Sequence, residues 1–384
     1  MEKVDIGTRY DLPQEVRFCK RCVMSNQRPR IVFNDEGICY ACLYSDHKHN
    51  NIDWESRENE LIELCDKHRS RNGSYDVIVP SSGGKDSSIV AHQLKFQYGM
   101  HPLTVTWSPN IYTAIGWDNF QGLIRSGLDN VMGSPNGGAL RKLMKAATIE
   151  LGDPFQPFIY GQYNFPMRVA VEKGIKLIFG GENTEAEYSG NPEAWDVKAH
   201  SVDDLDRLFF SNIGLNTWLE KGFTSQELAL FLAPDIAILR EMGISRQFYG
   251  YYKKWIPQEN FYYAAKNTNF KSNPDGRSEG TYSKYASLDD QIDGFHYYFM
   301  LLKFGIGRAT SDAAHEVRDG HITREEAVAL IRRYDTEFPA KYFQVFLDFL
   351  DINESEFWGM CERWRNDNLW EKKGNDWTLK TQVE

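Results

Sequence analysis

The sequence predicts an α/β protein with a doubly wound parallel sheet, a small cysteine-rich module before the sheet and a helical region after it. From Tyr75 onward, short apolar runs alternate with helical patterns, which is typical of sheets built from parallel strands. A loop rich in glycine and serine directly follows the first apolar run, at the edge where such sheets bind ligands. Four cysteines in two close pairs stand near the N-terminus, as in small metal-binding modules.

The composition is that of an ordinary globular protein. Hydrophobic residues make up 41% and charged residues 26% of the 384 residues. The net charge of −10 argues against broad electrostatic binding to nucleic acid or to an anionic membrane surface. The N-terminus has no apolar segment of the kind found in secretory signals, and no apolar run is long enough to span a bilayer. We therefore expect a cytoplasmic protein without a membrane contact.

Five segments are expected from the changes in pattern along the chain. A cysteine module comes first, followed by a connecting helix, the α/β core, an aromatic-rich region for a substrate or partner, and a helical region that contributes to the active site. Their boundaries are predicted at residues 1–50, 51–74, 75–190, 191–290 and 291–384.

Apolar periodicity predicts the elements of each segment. Buried strands are expected at residues 76–80, 103–107, 130–132 and 176–179. Helices are expected at residues 54–70, 88–97, 118–126, 139–151, 165–173, 225–232, 322–334 and 339–350. Thr323 and Glu326 have the spacing of a capping box at the start of one helix. Pro339 suits the first turn of the last helix, where its missing N–H costs nothing.

The cysteine pairs have the spacing of a zinc ribbon, in which two tight knuckles bring four thiolates to one tetrahedral ion. The four residues are Cys19, Cys22, Cys39 and Cys42. Nearby Arg17, Lys20 and Arg21 would offset part of the negative charge of a zinc tetrathiolate. Two disulfides or an iron–sulfur cluster are the alternatives. Because four sulfurs close the coordination sphere, we expect the site to serve folding or docking and not catalysis.

The loop after the first strand carries the strongest functional signal. Its residues are Ser82, Gly83, Gly84, Lys85, Asp86 and Ser87. Two glycines let backbone N–H groups approach phosphate oxygens, and the N-terminus of the following helix adds positive potential. Lys85 supplies a charge, and Asp86 could help to hold Mg²⁺ or cap the helix. The spacing differs from the Walker-type G-x-x-x-x-G-K-S/T motif, and an ordinary capped turn is the alternative.

The stretch SGGKDS resembles the PP-loop of the N-type ATP pyrophosphatases. Three further stretches are CKRCVMSNQRPRIVFNDEGICYAC, FGGEN at residues 179–183 and KFGIGRATSDAAHEVRDG at residues 303–320. With them, the chain resembles the N-acetyl sugar amidotransferase family over about residues 18–334. The resemblance implies the α/β fold of the ATP pyrophosphatases and cleavage of ATP between its α- and β-phosphates. The implied cofactors are ATP, Mg²⁺ and a structural Zn²⁺.

The reaction of that family converts an N-acetyl group of a sugar into an acetamidino group, for bacterial surface polysaccharides or flagellin glycans. The resemblance implies that AMP is first attached to the amide oxygen, which turns a poor leaving group into a good one. Ammonia then attacks, and AMP and pyrophosphate are released. Activation and positioning supply the catalysis, so no covalent enzyme nucleophile is required. The expected substrate is a nucleotide-linked N-acetylated uronic acid or a nonulosonic acid.

The resemblance also implies roles for individual residues. The expected catalytic residues are Lys85, Asp86, Lys303 and Arg308, the last two of which suit an anionic sugar. The expected nucleotide-binding residues are Ser82, Gly83, Gly84, Lys85, Asp86, Ser87, Gly181, Glu182 and Asn183. A turn with a helix cap is the alternative for residues 181–183. A solvated surface charge is the ordinary alternative for Lys303 and Arg308.

Two further groups stay open between a functional and a structural interpretation. Asp312, His315 and Glu316 fall near one face of a predicted helix and could form a metal or acid–base cluster, or a group of caps and surface ion pairs. The aromatic stretch at residues 251–255 could stack on a sugar or nucleotide, or it could belong to the core.

The source of ammonia is expected to lie outside the chain. Glu2 follows the initiator methionine, so an N-terminal cysteine nucleophile is absent from the sequence. The resemblance implies a separate glutaminase and a barrel-shaped channel subunit as partners, docked on the cysteine module or on residues 184–290.

Three other functions remain in competition at this point. A tRNA-thiolating enzyme would also join a PP-loop to a zinc module, but it usually needs extra reactive cysteines, and only Cys65 and Cys361 remain. The acidic chain also makes nucleic acid an improbable partner. A non-catalytic adaptor would not need the residue set of the loop. An amide ligase acting on a carboxylate and ammonia would share the activation chemistry.

Overall fold

A five-stranded sheet forms the centre of the computed structural model, which describes residues 2–200, 210 and 213–384. Its strands are β1 (Val77–Pro80), β2 (Pro102–Trp107), β3 (Asp129–Gly133), β4 (Leu177–Gly180) and β5 (Ser245–Phe248). The strand order is β3-β2-β1-β4-β5, and every neighbouring pair is parallel. The predicted doubly wound parallel sheet is confirmed, and β5 extends it by a strand that the sequence analysis did not predict.

Helices connect the strands and form most of the C-terminal part. Those before β4 are α1 (Ile6–Tyr10), α2 (Tyr40–Asn50), α3 (Trp54–His68), α4 (Lys85–Phe96), α5 (Ala114–Arg125), α6 (Gly137–Leu151) and α7 (Gln156–Lys173). Those after β4 are α8 (Leu215–Glu220), α9 (Ile236–Met242), α10 (Tyr249–Tyr252), α11 (Pro257–Asn267), α12 (Asp293–Phe304), α13 (Arg308–Arg318), α14 (Arg324–Tyr334), α15 (Phe343–Leu350) and α16 (Glu354–Trp364). Short turns of other helix types are Glu185–Ser189, Pro192–Ala194 and Ala340–Tyr342.

The two faces of the sheet belong to two separate cores. In β1, Val77 and Val79 join the apolar cluster that contains Leu94 of α4. Ile78, between them, joins the cluster that contains Leu143 of α6. Neighbouring residues of a strand point to opposite faces of the sheet. A strand buried on both faces is therefore a continuous apolar run, which is why β1 could be predicted from the sequence.

The C-terminal region is helical, as expected, but it ends in a two-stranded antiparallel sheet, β6 (Trp370–Lys373) and β7 (Asp376–Leu379). The capping box at the start of α14 is confirmed, because Thr323 N donates to Glu326 Oε2 at 2.7 Å and Glu326 N donates to Thr323 Oγ1 at 3.2 Å. The position expected for Pro339 was wrong. It precedes a single 3₁₀ turn, and α15 begins only at Phe343.

Residues 191–290 differ most from the sequence expectation. The helix expected at residues 225–232 is a series of turns, and β5 was missed because its sequence, SRQF, contains one apolar residue. This strand is held by pairing with β4 and not by a two-sided apolar core. Residues 201–209, 211 and 212 of the segment lie outside the described residues. The segment boundaries themselves stay predictions.

The N-terminal module packs on the rest of the chain through α2. Its cysteines belong to the same apolar cluster as Ile78 of the sheet and Trp364 of α16. Lys48 of α2 is 1% exposed and pairs with Glu187 at 3.0 Å and with Asp319 at 3.2 Å. Among the helices that can be described, none has the length and apolar character of a bilayer-spanning segment.

Candidate active site

The loop after β1 is fixed to its neighbours by hydrogen bonds. Ser81 N donates to the Val105 carbonyl at 2.9 Å, and the Ser81 carbonyl accepts a hydrogen bond from Thr106 Oγ1 at 2.5 Å. The hydroxyls of Ser81 and Ser87 lie 2.8 Å apart and join the two ends of the loop. Hydrogen bonds of Ser81 to β2 therefore fix the start of the loop, and the contact between the Ser81 and Ser87 hydroxyls fixes its shape.

Gly83 is required by the path of this loop. Its φ is +90°, and a Cβ at this position would lie 2.5 Å from Phe120 Cα, inside the backbone of α5. The helix α4 begins two residues later, at Lys85, and no described side chain caps its N-terminus at Gly84. The N–H groups of the first turn and the helix dipole are therefore available to an anion.

A cavity of ≈ 450 Å³, which we call the loop cavity, lies at the carboxyl ends of the strands. Residues 81–87 line one side of it, and Trp107 of β2, Gly181 after β4 and Arg246 of β5 line the others. The chain extends the sheet from β1 to one side with β2 and β3, and then to the other side with β4 and β5. The topological switch point of the sheet therefore lies at β1. Sheets of this type bind ligands at such a switch point.

A second cavity of ≈ 470 Å³, the module cavity, adjoins the first. Its walls come from residues 28–30 of the cysteine module, the segment 182–189 after β4, and the helices α12 and α13. The residues that line both cavities are Lys85, Asp86, Gln162, Tyr163, Glu182, Thr184, Tyr285 and Arg308. A molecule in one cavity can therefore meet a molecule in the other beside these side chains.

Lys85 and Asp86 stand at this junction. The Lys85 ammonium pairs with the Asp86 carboxylate and lies 5.2 Å from the centre of the Tyr285 ring. Asp86 Oδ1 also accepts a hydrogen bond from Asn260 Nδ2 at 3.1 Å. Both charged groups line the two cavities, and the Lys85 side chain is only 11% exposed, which strengthens its action on a charged ligand.

Glu182 is the third junction residue that the sequence predicted. Burial, with the nearby Asp86 carboxylate as the second cause, raises its pKa to about 7. The Tyr188 hydroxyl lies 3.4 Å from Glu182 Oε1. A carboxyl group with this pKa exchanges its proton near neutral pH, which suits a general acid or base.

Asn183 does not line either cavity, although its two predecessors do. Its Nδ2 donates to the carbonyls of Ala194 at 2.9 Å and Val197 at 3.3 Å, and its Oδ1 accepts from Ala186 N at 3.4 Å. The side chain caps and closes the turn after β4. For this residue the structure favours the turn-and-cap alternative.

Arg308 is placed in both cavities at the first residue of α13. Its Nε lies 3.1 Å from Asp312 Oδ1, and its guanidinium donates to the Tyr297 hydroxyl. Burial opposes its charge, but Asp312, Tyr297 and Asp293 outweigh burial, and the pKa is raised above its ordinary value. Arg308 is a permanent cation in the wall between the cavities.

Lys303 does not lie with Arg308, contrary to the sequence expectation. It is 5% exposed, and its Nζ donates to the Leu151 carbonyl at 3.2 Å beneath the aromatic rings of Phe304 and Trp364. Neither cavity includes it. The separation arises at Gly305, whose φ of +65° ends α12 and turns the chain before α13 begins. The structure thus gives Lys303 a place in the core.

Two acidic residues in the loop cavity were missed by the sequence analysis. Asp289 and Asp293 both line it, and the Asp289 carboxylate is hydrogen-bonded by Ser82 of the phosphate loop. Burial, and then the Asp293 charge, raise the pKa of Asp289. The acidic stretch SLDDQID, which ends at the first residue of α12, was the available signal.

The three polar residues of α13 left open by the sequence all line the module cavity. Asp312 accepts from Thr281 Oγ1 at 2.6 Å, and Glu316 accepts from Tyr282 Oη at 2.8 Å. His315 is 8% exposed, and its Nε2 has no hydrogen-bond partner among the residues described. The first two are thus committed to internal hydrogen bonds, and His315 is not.

The aromatic stretch at residues 251–255 divides between two roles. Trp255 lines the module cavity, and its ring would lie 3.0 Å from a Cβ placed at Gly181. Tyr252 is 2% exposed and belongs to the core beside the sheet. Tyr251 packs against the Arg57 guanidinium, 4.1 Å from the centre of its ring. Packing accounts for the last two.

The four cysteines of the N-terminal module form a buried cluster that fits a single tetrahedral ion. The Sγ···Sγ distances are 3.8 Å for Cys19–Cys42, 3.7 Å for Cys22–Cys39 and 3.6 Å for Cys39–Cys42. A zinc tetrathiolate with bonds of about 2.3 Å has edges of about 3.8 Å. Backbone N–H groups also point at the sulfurs, with Cys39 N lying 3.2 Å from Cys19 Sγ.

The alternatives for this cluster fit less well. All four thiols are free, and sulfurs 3.6–3.8 Å apart are not bonded in disulfides. A cluster of several iron ions would hold the sulfurs farther apart. Arg17 pairs instead with Glu15, but the buried Arg318 of α13, which the sequence analysis did not consider, lies near the cluster. Burial opposes its charge, while Cys22 and Cys39 favour it, and its pKa is raised.

Comparison with known proteins gives one family match. Residues 279–384 match the family model described as "LPS biosynthesis protein WbpG-like, C-terminal domain". This stretch contains α12 and α13, and therefore Arg308 and His315. It does not include the phosphate loop or the cysteine module. No curated protein matches the chain.

Among solved structures, the chain is similar to an NH3-dependent NAD synthetase from Campylobacter jejuni subsp. jejuni NCTC 11168 in complex with the nitrate ion. The identity is 17%, the match covers 50% of this chain and 94% of that chain, and the TM-score is 0.30. A score this low adds nothing to the fold assignment, which rests on the sheet described above.

Proposed function

We propose that the protein is an ATP-dependent amidotransferase that converts the N-acetyl group of a bacterial surface sugar into an acetamidino group. One observation carries the proposal: a phosphate-loop cavity and a second cavity of similar volume meet at Lys85, Asp86, Glu182 and Arg308. Two substrates must come together for one to be adenylated by the other. The match of residues 279–384 to an LPS biosynthesis family supports a surface sugar as the acceptor class.

ATP is proposed to occupy the loop cavity. The backbone of Gly83 and Gly84, the first turn of α4 and the Lys85 ammonium would bind its β- and γ-phosphates. The carboxylates of Asp86, Asp289 and Asp293, which line this cavity, are the oxygen ligands proposed for Mg²⁺. When bound, Mg²⁺ would neutralise part of the charge on the departing pyrophosphate.

The acceptor is proposed to occupy the module cavity with its N-acetyl group at the junction. Its amide oxygen attacks the α-phosphorus of ATP, the bond between the α- and β-phosphates breaks, and pyrophosphate leaves with the electron pair. Arg308 is placed to stabilise the negative charge that shifts toward the phosphates in this step.

Ammonia then completes the exchange of oxygen for nitrogen. Its lone pair forms the new C–N bond, the C–O bond to AMP breaks, and AMP leaves with that electron pair. The proton lost by the attacking nitrogen passes to Glu182, whose pKa of about 7 suits a general base. The product is an acetamidine, with AMP and pyrophosphate.

The metal is proposed to be zinc, held by the four cysteines in a closed structural site. The thiolates would be its ligands, and the backbone N–H groups and Arg318 would offset their charge. We place the reaction in the cytoplasm, where ATP and reduced thiols coexist. Ammonia is proposed to come from a separate glutaminase through a barrel-type channel subunit.

A tRNA-thiolating enzyme is the second candidate, and the cysteines disfavour it. Cys65 and Cys361 are both 0% exposed, and neither lines a cavity at the junction. Burial raises the pKa of Cys65 to about 12, so its nucleophilic thiolate is scarce at neutral pH. The other four thiols belong to the metal cluster.

Mass spectrometry of a complete reaction tests the proposal. The protein is incubated with ATP, Mg²⁺, ammonium and a panel of N-acetylated uronic and nonulosonic acids, free and nucleotide-linked. The expected result is AMP and pyrophosphate together with a sugar in which one oxygen is replaced by NH.

Other results would favour a different reaction or contradict the proposed function. AMP formation that requires a carboxylate without an N-acetyl group would indicate an amide ligase. AMP formation only with tRNA and a sulfur donor would indicate thiolation. If ADP is formed, or if no nucleotide is consumed with any acceptor, the assignment of the loop is wrong, and an adaptor role gains support.

A further inference from the structure

The cysteine module supplies one wall of the module cavity. Residues 28–30, between the two cysteine pairs, line it together with Tyr188 and His315. The cysteine spacing predicted a role for this module in folding or docking. Its contribution of side chains to a cavity next to the phosphate loop shows that it also shapes the candidate site.

Arg28 differs from the other cations of this cavity because no carboxylate among the described residues pairs with its charge. Lys85 pairs with Asp86, Arg30 pairs with Glu185 at 2.8 Å, and Arg308 pairs with Asp312. By contrast, the Arg28 guanidinium makes no hydrogen bond or ion pair with the residues that the structure describes, and its Nε is fully buried. Burial lowers its pKa to about 10, so it still carries its charge at neutral pH.

His315 contacts the same aromatic ring. The centre of the Tyr188 ring is 5.4 Å from the Arg28 guanidinium carbon and 4.7 Å from the centre of the His315 ring. His315 is only 8% exposed, and its Nε2 has no hydrogen-bond partner among the described residues. Burial, and then the charge of Arg318, hold its pKa well below the ordinary value, so His315 is neutral.

A buried guanidinium Nε and a buried ring nitrogen are costly when no hydrogen-bond partner binds them. An oxyanion meets both requirements, because a guanidinium binds two oxygens of a carboxylate or phosphate side by side. A neutral imidazole that carries its proton on Nε2 can donate a hydrogen bond to the same group.

We propose that Arg28 and His315 form an oxyanion subsite of the module cavity, which selects an acidic acceptor. This inference rests on the proposed function, in which the module cavity holds the acceptor. The oxyanion is the carboxylate of the sugar or the diphosphate of its nucleotide carrier, and the two sources are separable by experiment.

The position of Arg28 depends on the metal cluster and its supports. The Arg28 backbone N–H donates to Ser25 O, and the Cys22 carbonyl accepts a hydrogen bond from Arg324 Nε at 3.1 Å. On the other side of the cavity, Arg318 NH1 donates to the Glu187 carbonyl at 3.0 Å. Hydrogen bonds therefore fix the backbone on both sides of the subsite.

Isothermal titration of the full-length, zinc-loaded protein with four probes tests the subsite. The probes are UDP-N-acetylglucosaminuronic acid, UDP-N-acetylglucosamine, N-acetylneuraminic acid and its methyl ester. If the carboxylate is bound, the uronate binds more tightly than the neutral UDP-sugar, and the free acid more tightly than its ester. If the diphosphate is bound, the two UDP-sugars bind equally and the free sugars weakly. Failure of all four probes to bind the wild type would overturn the subsite.

The variants are Arg28→Gln, Arg28→Lys and His315→Phe, with Arg17→Gln as the matched control. Arg17 belongs to the same module but is exposed and paired with Glu15. Arg28→Gln is expected to weaken binding of the preferred probe roughly 10- to 100-fold, as expected for loss of a charged hydrogen bond. Arg28→Lys should recover part of the loss, and His315→Phe should show a smaller loss.

Circular dichroism and the zinc content per chain verify that each variant is folded. A folded Arg28→Gln variant that binds all probes like the wild type would overturn the subsite. Pyrophosphate release by the wild type is measured separately with the same probes. Release without any effect of Arg28 on affinity would refute the subsite alone, whereas no AMP formation with any acceptor would refute the proposed function.

Discussion

The two cavities are built in different ways from the same chain. The loop cavity takes one side from seven consecutive residues, 81–87, which are bonded to the adjacent strand. The module cavity takes its walls from residues 28–30, 182–189 and the helix α13, which are far apart in sequence. Local sequence specifies the phosphate-loop side of the first, whereas packing between distant segments specifies every wall of the second. Substitutions should therefore affect the two cavities separately.

The largest effect is expected from the loop. In Lys85→Met, AMP formation should fall roughly 10²- to 10³-fold, as for the loss of one preorganised charge-stabilising group. The affinity for the acceptor should fall much less, because Lys85 lines the module cavity only at the junction, whereas residues 28–30 and α13 are unchanged. Pyrophosphate release and acceptor titration measure the two effects. Lys142→Met, which removes an exposed lysine paired with Glu227, is the control. A loss of similar size in acceptor affinity would show that the cavities are not separable.

Loss of the metal should weaken binding of the acceptor more than binding of ATP. In Cys42→Ser, or after chelation, acceptor binding should weaken at least ~10-fold, while ATP affinity changes less than ~3-fold. The reason is that α2 carries both Cys42 and Lys48, which fix the wall of the module cavity, whereas the phosphate loop is bonded to β2.

The matched control for this experiment is Cys65→Ser, a buried cysteine outside the cluster. Titration with each ligand and the metal content of each variant are the measurements. An equal loss of ATP affinity in Cys42→Ser would contradict the expected distribution.

Glu182 connects the cavities, and its effect should depend on pH. Its pKa is about 7 in the folded protein, against an ordinary value of 4.5, so the folded state binds more protons than the unfolded state in this window. The wild type therefore loses stability from this residue as pH rises from 4.5 to 7. Glu182→Gln should be more stabilising at pH 8 than at pH 5, by about 2 kcal/mol.

Urea unfolding at the two pH values measures this difference, with exposed Glu172→Gln as the control. The activity of Glu182→Gln should also lack the rise through pH 7 that a base of this pKa gives the wild type. If the difference in stability between Glu182→Gln and the wild type does not change with pH, the pKa of Glu182 is not raised by its environment.

The smallest effect on activity is expected from Lys303→Met. The variant should lose about 1–3 kcal/mol of stability, because the Leu151 carbonyl loses its buried donor. AMP formation should stay within ~3-fold of the wild type. Thermal unfolding and pyrophosphate release are compared with those of Arg308→Met, which should be at least ~10-fold less active. Equal losses of activity in both variants would return Lys303 to the site.

The sheet and the phosphate loop could be predicted because their signals are local. A strand buried on both faces is an apolar run, and a loop that admits phosphate needs glycine at a position such as Gly83. The edge strand β5 gave no such signal, since its pairing with β4 and not its apolarity places it in the sheet.

The errors at the site also have a common physical origin. Lys303 and Arg308 are close in sequence, but after the turn at Gly305 only Arg308 lines the cavity, while Lys303 binds the Leu151 carbonyl in the core. Arg28 lies in a loop expected to serve the metal, and its approach to Tyr188 depends on packing of that module against the segment after β4. Such contacts between distant segments leave no periodic pattern in the sequence.

The close fit between α2 and the segment after β4 limits how this protein could be recombined. Any side chain at Gly190 would overlap the backbone of Tyr40 and Ala41, and the Gly190 φ of +72° favours glycine in its own right. Exchanging residues 1–50 for a related module would therefore preserve function only if residues 182–190 and Asp319 came from the same donor. The N-terminal module and the segment after β4 would have to be exchanged together, although more than a hundred residues separate them in the chain.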